Sequence, residues 1–144
     1  MKTRVWGVFI AGAVFVALGS APATAVVWHV EPDGSGDAPT IQAAVDLAAA
    51  GDVVELACGT FYEHDIAISI GITLRSVTSD PGCATIDAQQ LGRVLYCPDL
   101  EGELIGEGIT FANGYRNDAN GRGAGVFFSG GSLNLTSCDF VNNY

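Results

Sequence analysis

Residues 33–63 read DGSGDAPTIQAAVDLAAAGDVVELACGTFYE, and within them the chain changes its local pattern three times. Asp33 to Asp37 alternates Asp, Gly and Ser, which is turn chemistry, and Pro39 suits the first turn of a helix. From Thr40 to Ala50 the apolar residues Ile41, Ala44, Val45 and Ala48 recur at helical spacing. The polar side of that segment carries only Gln42 and Asp46. This suits a short helix over 39–50 laid across the end of an apolar stack, with Gly51 as its C′ stop. After Asp52 the period changes again: Val53-Val54-Glu55-Leu56 reads as a strand and Cys58-Gly59-Thr60 as a turn.

The same strand-and-turn pattern extends outward from this segment. Upstream, Val26 to Val30 is apolar apart from His29 and predicts a first strand, with His29 in a partly exposed structural role. Downstream, Ile66, Ile68 and Ile70 alternate with small residues, followed by Ile72 and Leu74. Short strands are expected at 84–87, 93–97, 104–105, 108–111, 126–128, 133–136 and 138–141, separated by Gly, Asp, Asn and Pro turns. No second helix is predicted. A hairpin sandwich would share the short strands, but the phrases GITLRS (71–76), GITFAN (108–113) and SLNLTS (132–137) recur near solenoid periods. A coil cannot bury its apolar interior alone. Stacking the next coil at ~4.8 Å buries it and pairs the backbones in parallel. The fold class is therefore all-β, a parallel β-helix solenoid with a short N-terminal capping helix. Residues 26–144 predict about five coils of ~20–25 residues. Tyr144 follows CDFVNN with no capping element, so the solenoid is expected to be truncated at its C-terminus.

The first 25 residues read as a signal peptide. Lys2 and Arg4 precede the apolar run Val5 to Leu18, which falls short of the ~20 residues a span needs. Ala23-Thr24-Ala25 fits a small-x-small cleavage pattern before Val26. The expectation is export through the general secretory route to the medium or cell surface, with no integral membrane segment left after cleavage. Without Lys2 and Arg4, four Arg face sixteen Asp and Glu, a net charge of −12 with no lysine. That balance argues against nucleic acid and anionic membranes as partners. Export permits disulfides, and Cys58, Cys83, Cys97 and Cys138 allow three full pairings. Cys83 with Cys58 or Cys97 is preferred, because one coil would bring them close; buried, unpaired, stacked cysteines are the alternative. The spacings contain no CxxC pair, so zinc is not expected.

The quoted stretch, with its DGSGD turn, TIQ-A helix, strand and GTFYE turn, resembles the opening of pectin methylesterases and related pectin-lyase-like right-handed β-helix proteins. Their PGTY turn has Cys58 at the proline position here. The resemblance runs on through GITLRS, the TIDA at Thr85 and GITFANG at Gly108. The second half, GRGAGVFFSGGSLNLTSCDFVNN, resembles the repeats of polymorphic-outer-membrane-type bacterial surface proteins, with a glycine run and a C-x-F-x-x-N strand. In such repeats an Asn142 or Asn143 amide would bond turn backbone or stack on Asn113 of the neighbouring coil.

The resemblance implies where chemistry would sit. The esterases place a catalytic glutamine just before the strand equivalent to Val126–Phe128, and this chain has Gly123-Ala124-Gly125 there. The second glutamine would fall near Asn143, and the paired aspartates would lie past Tyr144. Without these donors and carboxylates the esterase reaction loses its main stabilising groups, so no catalytic residue is assigned. Pectate lyases of similar fold use Ca²⁺ and an Arg base, for which Arg93 or Arg122 would serve. The weak Ca²⁺ candidates are Asn117, Asp118 and Asn120, in a loop rich in side-chain oxygens; no other cofactor is expected. Asp99, Glu101, Glu103 and Glu107 mark an exposed face, and Glu63-His64-Asp65 a polar corner. No GxSxG, P-loop or HExxH pattern occurs. The sequon Asn134-Leu135-Thr136 lies inside an expected strand. The expected role is a non-catalytic scaffold, adhesin or carbohydrate-binding surface, with a polysaccharide or cell-surface partner; the alternative is the N-terminal part of a pectin-active enzyme.

Overall fold

The computed structural model describes residues 24–117 and 123–144. Its elements in chain order are β1 (Val27–Val30), α1 (Ile41–Leu47), β2 (Val53–Leu56), β3 (Gly59–Phe61), β4 (Ile66–Ala67), β5 (Thr73–Ser76), β6 (Ala84–Asp87), β7 (Leu95–Glu107), β8 (Ile109–Ala112), β9 (Val126–Thr136) and β10 (Asp139–Val141). Every strand pairing is parallel. The strands wind into a right-handed β-solenoid of about four turns, one fewer than the sequence suggests. The shortfall has a simple cause. Val27, Val53, Thr73, Ile105 and Asn134 stack in register at uneven chain spacing, and the wider gaps use more residues per turn.

Three faces emerge from the registers. One stacks β1, β2, β5 and the second halves of β7 and β9. The next stacks β3, β6, β8 and β10. The third stacks β4 and the first halves of β7 and β9. The strands expected separately at 93–97 and 104–105 are joined in β7, as are 126–128 and 133–136 in β9, because pairing continues round the corner with shifts between Cys97, Leu100 and Glu103. Cys58 to Thr60, read as a turn, instead leads into β3 at Gly59. The phrases also separate. GITLRS and SLNLTS share one face, whereas GITFAN lies on another, where its stacked partner is the ATID of β6.

The period-2 alternation of each strand decides what is buried. In β2, Val54 and Leu56 point inward; in β5, Leu74; in β6, Ala84 and Ile86; in β8, Ile109 and Phe111. Stacked interior positions form columns such as Phe61, Ile86, Phe111 and Phe140, with the last two rings 5.2 Å apart. One interior glycine sits close under the next coil. A Cβ at Gly106 would meet the end of the Leu135 side chain of the next coil, which would have to shift to admit it.

Helix α1 lies across the first coils and buries Ile41, Ala44 and Val45. Its N-terminus is satisfied twice. The Thr40 hydroxyl accepts from the Ala43 N–H, and the Glu63 carboxylate, from the corner after β3, accepts from Ile41 and Gln42 at 2.7 and 3.1 Å. The Gln42 amide ties the lid to β4 by bonding both backbone groups of Ala67. The helix is shorter than the expected 39–50. Ala48 is extended, and the Asp52 carboxylate takes the Ala49 N–H and turns the chain away. Gly51, with φ +90°, sits in the following turn rather than at C′.

Of the four cysteines, Cys58 and Cys83 are bonded, with Cα atoms 4.5 Å apart and a sequence separation of 25. They precede the register pair Gly59 and Ala84, which brings one coil's corner over the next. Closing a loop of that length stabilises by about 3 kcal/mol. Cys97 and Cys138 are free, which corrects any pairing that includes them. Cys97 points into the core from the third face, while Cys138 occupies the corner between β9 and β10.

Candidate functional site

The third face carries the most concentrated outer chemistry. Tyr96 of β7 and Phe127 of β9 are register partners, and the parallel pairing holds their rings 5.5 Å apart with planes 29° apart. The Arg93 guanidinium lies over both, 5.2 Å from the Tyr96 centroid and 4.9 Å from that of Phe127. Such cation–π stacking stabilises by roughly 0.5–2 kcal/mol where it is desolvated, and Arg93 is only 8% exposed. Arg93, one of the two arginines named for the lyase alternative, is stacked in this wall.

Beside this wall runs a cleft of about 370 Å³, lined by Asp65, Leu91, Gly92, Tyr115, Arg116 and Asn117. Asp65 is fixed from three directions. Its N–H donates to the Arg93 carbonyl, its carboxylate accepts from the Arg93 N–H at 3.1 Å, and its other oxygen lies 3.2 Å from His64 Nδ1. Gly92 permits this approach, since a Cβ there would overlap the Asp65 carboxylate. Tyr115 and Arg116 are held through their backbones, Tyr115 N–H to Gly92 O and Arg116 N–H to Tyr144 O. Tyr115 is 40% exposed. The lining thus combines an accessible aromatic surface with carboxylate, amide and guanidinium groups. That combination suits binding a polar ligand with apolar ring faces.

The Glu63-His64-Asp65 cluster is divided by the corner it occupies. Glu63 caps α1, while Asp65 lines the cleft with His64 in contact with its carboxylate. Of the calcium candidates, Asn117 lines the cleft, and Asp118 and Asn120 lie outside the described residues, as does Arg122. Among the described residues no three His, Cys, Asp or Glu side chains converge in a way that would hold a metal. Asp99, Glu101 and Glu103 are exposed along the bend of β7, and Glu107 is also exposed. Glu107 continues an outer column with His29, Glu55 and Arg75, in which Glu55 pairs with Arg75 Nη2 at 2.7 Å and His29 Nδ1 at 3.1 Å. His29 is thus an exposed residue whose ring contacts Glu55 at one end of this column. Asn134 is exposed on β9.

Ala124 and Gly125 precede β9, where a Cβ on Gly125 would press on Phe140 and Asn143. The Asn143 amide reaches back one coil. It donates to Phe111 O at 2.9 Å and accepts from Gly114 N–H at 2.7 Å. Asn113 and Asn142 both adopt positive φ at equivalent corners, and the Asn113 amide bonds Asp87 of the coil before it. These amides secure the loop that carries Tyr115.

The stack of Arg93, Tyr96 and Phe127 is not visible as a unit in the sequence. Its signal is an aromatic at the second position of each of two strands, LYC and VFF, which becomes informative only once their register is known.

None of the family models, curated proteins or solved structures compared with the chain matches it.

Proposed function

We propose that this protein is an exported β-helix of the pectin-lyase-like kind whose third face binds an extended polysaccharide without cleaving it. The observation that carries the reading is the cleft beside the Arg93–Tyr96–Phe127 wall. There the exposed Tyr115 lines the same open cleft as Asp65 and Asn117. A sugar ring presents apolar C–H faces to an aromatic and hydroxyls to carboxylate and amide groups, so both parts of the lining have work to do. The leader-like first 25 residues and the acidic, lysine-free remainder support delivery outside the cytoplasm.

The test is retardation of the protein in gels containing polygalacturonate, xylan or a neutral glucan, alongside an assay for unsaturated product with Ca²⁺ present. Binding to at least one polymer that falls about tenfold in Tyr115→Ala supports the proposal; that loss corresponds to roughly 1.4 kcal/mol. Arg75→Ala, on another face, should leave binding unchanged. Release of unsaturated product would replace it with the lyase reading.

A further inference from the structure

Asp52 stands apart from the other carboxylates because it is almost buried, at 7% exposure, and sits where the chain enters the first coil. It receives three N–H donors: Val26 N at 2.8 Å, Ala49 N at 2.9 Å and Trp28 Nε1 at 3.4 Å. All three are neutral groups when Val26 is an internal residue. The charged side chains on the surrounding elements are engaged elsewhere. His29 of β1 pairs with Glu55 of β2, and Asp46 of α1 accepts from Gln42. A nearly buried carboxylate is most strongly stabilised by a cation in contact with it, and the sequence places a source of one at Val26.

Ala23-Thr24-Ala25 is a small-x-small motif whose scissile bond would be the peptide bond joining Ala25 to Val26. Hydrolysis of that bond adds water across it, leaving a carboxylate on Ala25 and an α-ammonium on Val26. The nitrogen freed is the one already 2.8 Å from the Asp52 carboxylate. Thr24 and Ala25 lie in an open cleft of about 270 Å³ alongside Ala49, Ala50 and Gly51, so the departing residues are not packed into the core. The Val26 carbonyl accepts from the Val53 N–H at 2.8 Å, which keeps the new terminus in register on β2 after the cut.

We propose that Asp52 is a docking site for the α-ammonium released by cleavage between Ala25 and Val26, so that processing completes the fold at its first coil. This rests on the export reading and adds to it a defined cleavage bond and a defined acceptor.

Lys2 is the only lysine in the sequence, so the processed chain holds a single amine, that of Val26. The full chain is therefore produced with its leader in an exporting bacterial host, and the mass of the exported protein is measured. The expected product lacks residues 1–25. Its amine is then acylated at pH 7.5, both native and unfolded in urea, and native Asp52→Asn and Asp33→Asn variants are treated in the same way. A docked ammonium holds its proton more tightly, and each tenfold gain in proton affinity leaves about a tenth of the reactive free amine. Native wild type should therefore react about tenfold more slowly than the unfolded chain. Asp52→Asn should approach the unfolded rate, and Asp33→Asn should remain slow. Equal native and unfolded rates in the wild type overturn the docking, even if Asp52→Asn fails to fold. Export with a cut at another bond overturns the docking while leaving export standing. A chain retained in the cytoplasm with its leader overturns both.

Discussion

Phe111 and Phe140 occupy the same interior column on adjacent coils, with rings 5.2 Å apart, yet one is completely buried and the other is 51% exposed. Their strands share hydrogen-bonding register and direction; the difference is that Phe111 has a coil on each side and Phe140 has one on a single side. The same contrast separates the two ends of the structure as a whole. At the first coil, α1 covers Val30, Val54 and Leu56 with Ile41, Ala44 and Val45. At the last, β10 is exposed throughout and β9 is nowhere fully buried. In a solenoid the strand sequence selects which side chains face inward, and the neighbouring layer makes that direction a burial.

The strongest way to break this comparison is to truncate both rings. Phe111→Ala should cost about 3–5 kcal/mol, as a large-to-small change within a closed core. Phe140→Ala, at a half-open position, should cost less than about 1.5 kcal/mol. Paired urea melts measure both, and equal losses would mean that the last coil is as well packed as the third.

The two free thiols extend the test to chemistry. Burial pushes the Cys97 thiol up to about 11 from an ordinary 9, while Cys138, at the last corner, is only partly buried, its thiol also raised by burial. A thiol raised that far holds about a hundredfold less thiolate. Native alkylation near pH 8 should therefore modify Cys138 while leaving Cys97 intact until the protein unfolds. Modification of Cys97 at the Cys138 rate would show that the interior is open.

The smallest effect lies at the opposite end, in acid. Hydrogen bonds from Ala49 and Val26 hold the Asp52 carboxyl below its usual 3.8. Because the folded pKa is depressed, this contribution is fully present above about pH 3.8 and is lost as the pH falls through the lower folded value. Thermal melts should therefore decline over that window, and Asp52→Asn should flatten the decline. An unchanged acid limb in the variant would remove Asp52 from the account of the first coil.

How far the sequence can be read follows the same physical line. Local features are plain. Turn residues, the helical spacing of Ile41, Ala44 and Val45, and the alternation in β2, β5 and β8 depend on near neighbours along the chain. What requires a neighbouring coil is not plain. GITLRS and GITFAN look like equivalent repeats, but strand grammar is the same on every face of a solenoid, and only register shows that they lie on different ones. Spacing alone overstates the length of α1, because its end is set by Asp52 capturing the Ala49 N–H three residues back, a local polar contact that apolar periodicity does not register. The cysteine preference is half resolved by sequence, since Cys58 and Cys97 are both reasonable partners of Cys83 until the faces are assigned. The candidate cleft is least legible of all: Asp65, Gly92 and Tyr115 come from one corner of successive coils, far apart in sequence, and Tyr96 meets Phe127 only across coils.

Amide hydrogen exchange followed residue by residue on the native protein tests the layered architecture most directly. The slowest exchange should fall on Val54, Leu74 and Leu104, whose strands have a paired layer on each side or lie just inside one. Protection should decrease through β9 and be least in β10, where Asp139 to Val141 pair on one edge only. Uniform protection across all coils, or the slowest exchange in β9 and β10, would contradict a stack closed by α1 at one end and paired on a single edge at β10.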